Sequence, residues 1–369
     1  MRNITKYLLF APFIFAAVFA RAGDGGGAVA VPFLKMDMGA RYYGMAGAAT
    51  AFADDVTGMA FYNPAALGAV QSFQAAGTTY KNTLDMKNTH LGIAFPVGFL
   101  SFTGNQPLNA GFSFYMFDKG SIDDNGISRS VGDDIAFSLT LGENVATHAW
   151  DFMGDTSEVN HYLGASVKYI RSQLPAPGSG DVSGSAFAFD AGYRMTVDNH
   201  FGVGAALKNA GGKIKYISEA DPLPTTVSVG AFLTAADVNG VRWDISGDYI
   251  YHVNESEGRI RLGTEAVFFK MLAARGGVKL MEELGAEYSL GFGLKLLGFE
   301  VDFGTILNPQ LNEDRVYQAA VAYKFPVKKQ GDRYEKDEKK RAEKQEQKQQ
   351  QTQAAQQRAE RNTNPILYQ

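Results

Sequence analysis

From about Ser72 to Phe325 the chain alternates apolar and polar residues with a period of two, in one segment after another. In Phe187 to Met195 (FAFDAGYRM), Phe187, Phe189, Ala191, Tyr193 and Met195 share one face, and Ala188, Asp190, Gly192 and Arg194 share the other. From Val241 to Tyr251, Val241, Trp243, Ile245, Tyr249 and Tyr251 oppose Arg242, Asp244, Ser246 and Asp248. Farther on, Ile260, Leu262, Ala266 and Phe268 oppose Arg259, Arg261 and Glu265. This period belongs to strands with one apolar and one polar face. Many segments run to about ten residues, which is what a tilted strand needs to cross a bilayer. Candidates begin near residues 72, 87, 98, 133, 158, 183, 199, 224, 240, 258, 272, 284, 296 and 315. An even number of antiparallel strands can close and remove both edges. The expected fold class is therefore all-β transmembrane: an antiparallel outer-membrane β-barrel of about fourteen strands, covering residues 72–325.

The ends of the chain agree. Arg2 and Lys6 precede an apolar run, Tyr7 to Ala20, and Ala20-Arg21-Ala22 fits a small-x-small cleavage site, so residues 1–22 read as a secretory signal peptide. The expected location is the bacterial outer membrane, with its lipid as the surrounding partner. The chain has no Cys, which excludes disulfides after export. Its formal net charge of -4 gives no reason to expect nucleic acid. Tyr169, Tyr249, Tyr251, Phe268, Tyr323 and Phe325 fall near strand ends, where an interfacial girdle would place them. Asp198-Asn199, Val238-Asn239-Gly240 and Asn308-Pro309 read as short turns, and the links near 118–132, 142–157 and 172–182 as extracellular loops. Val316 to Phe325 resembles the C-terminal strand signal read by the barrel-assembly machinery, although the chain continues beyond it. Residues 326–369 read as a charged, Gln-rich periplasmic tail. Its apolar Ile366, Leu367 and Tyr368 are a candidate docking point for a periplasmic or cell-wall contact.

Catalytic constellations are absent. His90, His148, His161, His200 and His252 lack a second ligand-type residue at metal spacing, so no metal is expected. No G-x-S-x-G and no phosphate-binding loop occurs, so neither an enzyme nor a cofactor is expected.

One stretch stands apart from the alternation. Residues 44–67 read GMAGAATAFADDVTGMAFYNPAAL. Small residues suit close packing, Asp54-Asp55 suits a cap or an ion pair, and Asn63 can cap a helix that begins at Pro64. Across residues 32–67, Gly39-Ala40-Arg41, then Gly44 to Ala48, Asp54-Asp55 and Tyr62 to Leu67 resemble the N-terminal signature of the PorV/PorQ group in the FadL-type outer-membrane superfamily. The resemblance implies that residues 23–71 fold as a small helical plug inside the barrel. It implies plug and gating roles for Gly44, Gly47, Asp54, Asp55, Asn63, Pro64 and Ala65. Arg41, Asp54 and Asp55 are expected to pair with inward charges such as Lys168, Asp190, Arg194, Arg242, Asp244, Arg259 and Arg261.

The implied function is transport of small hydrophobic molecules, such as long-chain fatty acids, with plug displacement and lateral release. PorV-type members imply an alternative, a scaffold for protein secretion or surface attachment. Lateral release needs an opening in the wall. Proline is excluded from regular ladder positions, so Pro96, Gly98, Gly104 and Pro107 are the candidates, with a plain turn as the competing reading.

Overall fold

The computed structural model describes residues 29–81, 86–124, 127–152, 155–176, 180–281, 285–307 and 316–326. The segment read as a signal peptide, the tail beyond Pro326 and the turn expected at Asn308-Pro309 lie outside them. Among the described residues no helix is long and apolar enough to cross a membrane. Strands do the crossing.

The chain enters through a 3-10 turn (Pro32–Lys35), helix α1 (Ala40–Tyr43), helix α2 (Val56–Phe61) and a second 3-10 turn (Pro64–Ala69). The strands follow: β1 (Gln74–Lys81), β2 (Lys87–Val97), β3 (Leu108–Asp118), β4 (Ser121–Asp124), β5 (Ile127–Ser130), β6 (Asp133–Phe152), β7 (Asp155–Ala176), β8 (Gly180–Val197) and β9 (Phe201–Gly211). After them come β10 (Lys213–Lys215), β11 (Ala220–Pro222), β12 (Thr226–Val238), β13 (Val241–His252), β14 (Glu257–Phe268), β15 (Leu272–Met281), β16 (Gly285–Leu296), β17 (Phe299–Leu307) and β18 (Val316–Lys324). Fourteen of them form a closed antiparallel barrel; β4–β5 and β10–β11 are small hairpins outside the ring. The first and last strands close it, from Gln74↔Lys324 to Lys81↔Tyr317. An aromatic latch marks the seam: Phe325 meets Phe73 and Tyr323, with ring centroids 5.4 Å and 4.8 Å apart.

The short turns after β8, β12, β14 and β16 lie at the same end as Gln74 and Lys324. In outer-membrane barrels short turns face the periplasm, and by that convention this end is named periplasmic and the other extracellular. The alternation sorts the side chains as the sequence requires. Leu91, Phe112, Phe187, Leu290 and Phe303 stand exposed on the outer face, while Asp190, Arg194, Asp244, Arg261 and Glu265 are buried inside. An outer face of this kind is stable against lipid tails.

Two expectations need correction. The strand expected near 98 begins at Leu108. Phe99, Leu100 and Phe102 mimic an apolar strand, but the residues form a periplasmic turn wrapped on one buried carboxylate. Glu143 accepts from Ser101 Oγ (2.8 Å), Phe102 N (2.8 Å) and Thr103 N (3.0 Å). The links near 142–157 and 172–182 are mostly strand rather than loop, because β6 and β7 pair from Asp134↔Ser172 to Phe152↔Asp155 and β7 runs to Ala176. The β6–β7 end also lies on the periplasmic side.

Candidate functional site

The lumen is filled by residues 29–71, and the wall receives them through three kinds of contact. At the extracellular end the contacts are apolar. Phe33 is fully buried and packs on Tyr115 (5.1 Å) and Phe117 (6.3 Å). Ala30 N–H donates to the carbonyl of Pro222 (3.0 Å), so the β10–β11 connection helps to cap the mouth. Lys35 pairs with Glu255 (2.5 Å) at the rim.

In the middle the contacts are backbone against backbone. Gly263↔Gly277, Gly291↔Gly304 and Gly164↔Gly192 are cross-strand pairs on the inner wall. Each is a seat. A Cβ on Gly277 would lie 2.5 Å from the Met45 carbonyl carbon, and one on Gly304 2.7 Å from the Ala40 oxygen. Gly164 and Gly192 meet Asn63 and Pro64 in the same way. No side chain fits there, so the wall glycines fix where the plug lies. Gly44 sits against Gly291, and its carbonyl accepts from Ser289 Oγ (3.0 Å). Gly47 has φ +74°, and its carbonyl accepts from Arg261 Nη1 (3.2 Å). Asp248 on the wall accepts from the N–H groups of Ala49 and Thr50, both at 2.8 Å.

Toward the periplasm the contacts are ionic. Glu265 binds Arg41 through two oxygens (Nη2 3.0 Å, Nε 3.1 Å) and accepts from Arg275 Nε (2.6 Å). Arg275 reaches on to Asp302 (2.7 Å). On the plug itself Arg41 holds Asp54 (2.8 Å) and lies 3.7 Å from Asp55. Burial raises the Asp54 carboxyl, but Arg41 and then Lys324 outweigh it and hold the group well below the ordinary aspartate range. Higher in the lumen Asp37 meets Arg261 (2.6 Å) and Lys279 (3.9 Å). Burial raises this carboxyl too, and the two cations again leave it below its ordinary value.

The plug residues singled out by sequence thus have defined places. Asp55 is the N-cap of α2, accepting from Thr57 N (3.1 Å) and Gly58 N (2.8 Å). Asn63 is fully buried and caps the second 3-10 turn through Ala65 N (3.0 Å). Its amide donates to the carbonyls of Thr50 (2.8 Å) and Tyr193 (3.0 Å), tying two plug segments to the wall. Pro64 begins that turn, and Ala65 is buried in it. Of the inward charges, Arg261 meets the plug at Asp37 and Arg194 at a carbonyl. Lys168 and Asp190 pair with each other (2.6 Å), Arg242 with Asp244 (2.8 Å), and Arg259 with Glu257 (2.8 Å). Sequence reasoning missed Glu265 as the main partner of Arg41. Its inward register was visible, but register does not reveal which residue lies across the lumen.

No gap exists in the wall at Pro96, Gly98, Gly104 and Pro107. Pro96 pairs with Asn109 and Val97 with Leu108, so the β2–β3 ladder runs unbroken to its end. Gly98, Gly104 and Pro107 lie in the turn beyond it. The proline ends a strand at the rim, where its missing donor costs nothing.

A different part of the wall is thin. Gly92, Ser113, Ser138 and Lys168 are neighbours across β2, β3, β6 and β7. On the lumen side of Ser113 and Ser138 lies a void of about 20 Å³, lined by Leu34 and Phe61 of the plug and by Lys168 and Lys208. On the lipid side of the same two serines lies an apolar recess of about 630 Å³, lined by Leu91, Phe112, Phe137, Leu139 and Val167. Phe61 stands opposite, edge-on to His90 (4.8 Å) and Tyr115 (5.1 Å). A third cavity, of about 550 Å³, opens at the periplasmic end between plug and wall.

No protein-family model matches the chain, and no curated protein matches it. Among solved structures it is similar to a Pseudomonas aeruginosa FadL homologue, at 12% identity over 79% of this chain and 99% of that one, with a TM-score of 0.49. It is similar to the monoaromatic hydrocarbon channel CymD, at 11% identity over 79% and 99%, with a TM-score of 0.48. It is also similar to the Pseudomonas putida toluene transporter TodX, at 11% identity over 82% and 99%, with a TM-score of 0.45.

Proposed function

We propose that this chain is a FadL-type outer-membrane channel for small hydrophobic molecules, seen with its plug closed, and that its cargo leaves sideways between β3 and β6. One observation carries the reading: a void inside the lumen and an apolar recess on the lipid face share Ser113 and Ser138 as their common wall. An apolar molecule gains nothing from an aqueous exit, whereas a lateral exit delivers it to a surface that already solvates it. Short serine side chains leave little side-chain bulk between the two spaces, and joining them requires the β3–β6 ladder, unbroken here at Ser113↔Ser138, to part. On this reading the apolar cap at Phe33 is the entry and Phe61 the residue that must move, because it fills the place in front of the serines. Moving the plug requires its ion pairs and single hydrogen bonds to the wall to break and its backbone packing at the glycine seats to separate. Long-chain fatty acids are a fitting cargo class, and monoaromatic hydrocarbons share the same chemistry of recognition.

The test is uptake of radiolabelled oleate and toluene by cells lacking the chain and by the same cells carrying it. The proposal predicts faster uptake of at least one of them when the chain is present. Equal uptake of both would remove the transport reading and leave the scaffold reading in its place.

A further inference from the structure

Four short turns at the periplasmic rim form two matched pairs of opposite chemistry. β12–β13 and β16–β17 are each joined by two residues, Asn239-Gly240 and Leu297-Gly298. Their backbones agree, with φ of 52° and 79° in the first and 53° and 85° in the second. β8–β9 and β14–β15 are each joined by three residues, Asp198-Asn199-His200 and Phe269-Lys270-Met271. Their first two φ values are 51° and 55° in one, and 51° and 58° in the other. Left-handed turn positions favour Gly, Asn and Asp and penalise bulky apolar side chains. Asn239, Asp198 and Asn199 follow that preference. Phe269 and Leu297 go against it, and burial gives them little in return, because they are 70% and 85% exposed. The turn over residues 98–107 adds Phe99 and Phe102, 86% and 77% exposed, on a backbone fixed by Glu143. Large apolar side chains this exposed mark a surface that something covers.

The apolar turns are grouped. Along β3-β2-β1-β18-β17-β16-β15-β14, the 98–107 turn, the Phe73–Phe325 seam, the Leu297 turn and the Phe269 turn follow one another around the rim. The Asn239 and Asp198 turns lie on the strands beyond β14. The arc also continues the lipid face. Leu296 and Phe299 at the base of the Leu297 turn, and Phe268 and Leu272 at the base of the Phe269 turn, are exposed like the rest of the outer wall. At the base of the Asp198 turn, Val197 and Phe201 are instead buried with Val159. We infer that the occupant of the arc is lipid: Phe99, Phe102, Phe269 and Leu297 are immersed among the acyl chains of the periplasmic leaflet, while the Asn239 and Asp198 turns stand in water. Continuity with the outer wall selects lipid over a protein, since the acyl chains that cover Leu296 and Phe268 need only extend to the turn tips. Lys270, beside Phe269, has a stem long enough to reach the headgroups. The barrel is therefore seated unevenly, with the bilayer meeting the turn tips on one side only. This seating rests on the barrel lying in a bilayer and not on any cargo.

The test uses spin labels, since the native chain has no Cys. Phe99→Cys, Phe269→Cys, Leu297→Cys, Asn199→Cys and Asn239→Cys each carry one nitroxide on the full chain in phosphatidylcholine vesicles that contain no other protein. Heat-modifiable gel mobility checks that each variant is folded. Power saturation compares collisions with oxygen, which concentrates among acyl chains, and with a water-soluble nickel chelate equilibrated across the membrane. The ratio of oxygen to nickel accessibility is expected to be at least fivefold higher at positions 99, 269 and 297 than at 199 and 239. A ratio at 269 and 297 no higher than at 199 and 239 would overturn the inference and make the arc a water-facing surface for a periplasmic protein. An equally high ratio at all five positions would overturn the uneven seating.

Discussion

Replacing Glu265 by Gln tests whether ionic contacts hold the plug. Glu265 is 2% exposed and accepts three hydrogen bonds from two arginines, two of them from Arg41 on the plug. The substitution keeps the shape and one carbonyl oxygen but removes the charge, leaving Arg41 and Arg275 facing a neutral group. Removing one member of a buried pair costs about 3–5 kcal/mol. Arg41 keeps Asp54, and the amide oxygen still accepts one bond, so the lower end applies: about 3 kcal/mol of plug docking, or roughly a hundredfold rise in the undocked population. The native chain has no Cys, so Ala49→Cys, at a fully buried plug position, gives a single thiol whose maleimide labelling reports undocking. Labelling is expected to be about a hundredfold faster with Glu265→Gln added, while Glu257→Gln, which breaks a rim pair with Arg259, changes it less than about fivefold. Equal labelling rates in the two variants would refute the reasoning.

Three further outcomes follow from the same contacts. Asn63→Ala strands the Ala65 N–H and the Thr50 and Tyr193 carbonyls, at a cost of about 1–3 kcal/mol, read as faster hydrogen exchange in residues 50–66 against an unchanged barrel. Gly277→Ala places a methyl against Met45 and Ala46, overpacking by about 1–3 kcal/mol, and a lower temperature for the gel-mobility shift checks it. Asp37 and Asp54 have carboxyls held below their ordinary values in the folded chain, so the stability they contribute is fully present above the ordinary aspartate pKa of about 4 and is lost as pH falls through their lowered values. The contribution of these two carboxyls should therefore be lost below about pH 4, read as faster hydrogen exchange in the plug after correction for its intrinsic pH dependence.

The barrel was legible because period-two alternation is a local property. Phe187 and Phe189 point outward and Asp190 and Arg194 inward, as the spacing of those residues requires. It misled at Phe99, Leu100 and Phe102, where three apolar residues near a strand end belong to a turn held by Glu143, a partner some forty positions away. The plug's local features were legible too: the Asp55 and Asn63 caps follow from residue type and position. The glycine seats were not, since Gly263 and Gly277 gain meaning only when the ladder sets them side by side under Met45. The thin wall at Ser113 and Ser138 was hidden for the same reason. A serine in an alternating strand carries no sign of the spaces on its two sides.

The exit between β3 and β6 can be tested by stapling it. Ser113 and Ser138 are direct cross-strand partners, and the Ser113→Cys, Ser138→Cys double variant would carry the chain's only two thiols. Uptake of oleate or toluene by cells carrying this variant should fall to the level of cells lacking the chain when the pair is oxidised, and recover when it is reduced. Unimpaired uptake with the disulfide verified as formed would contradict the account.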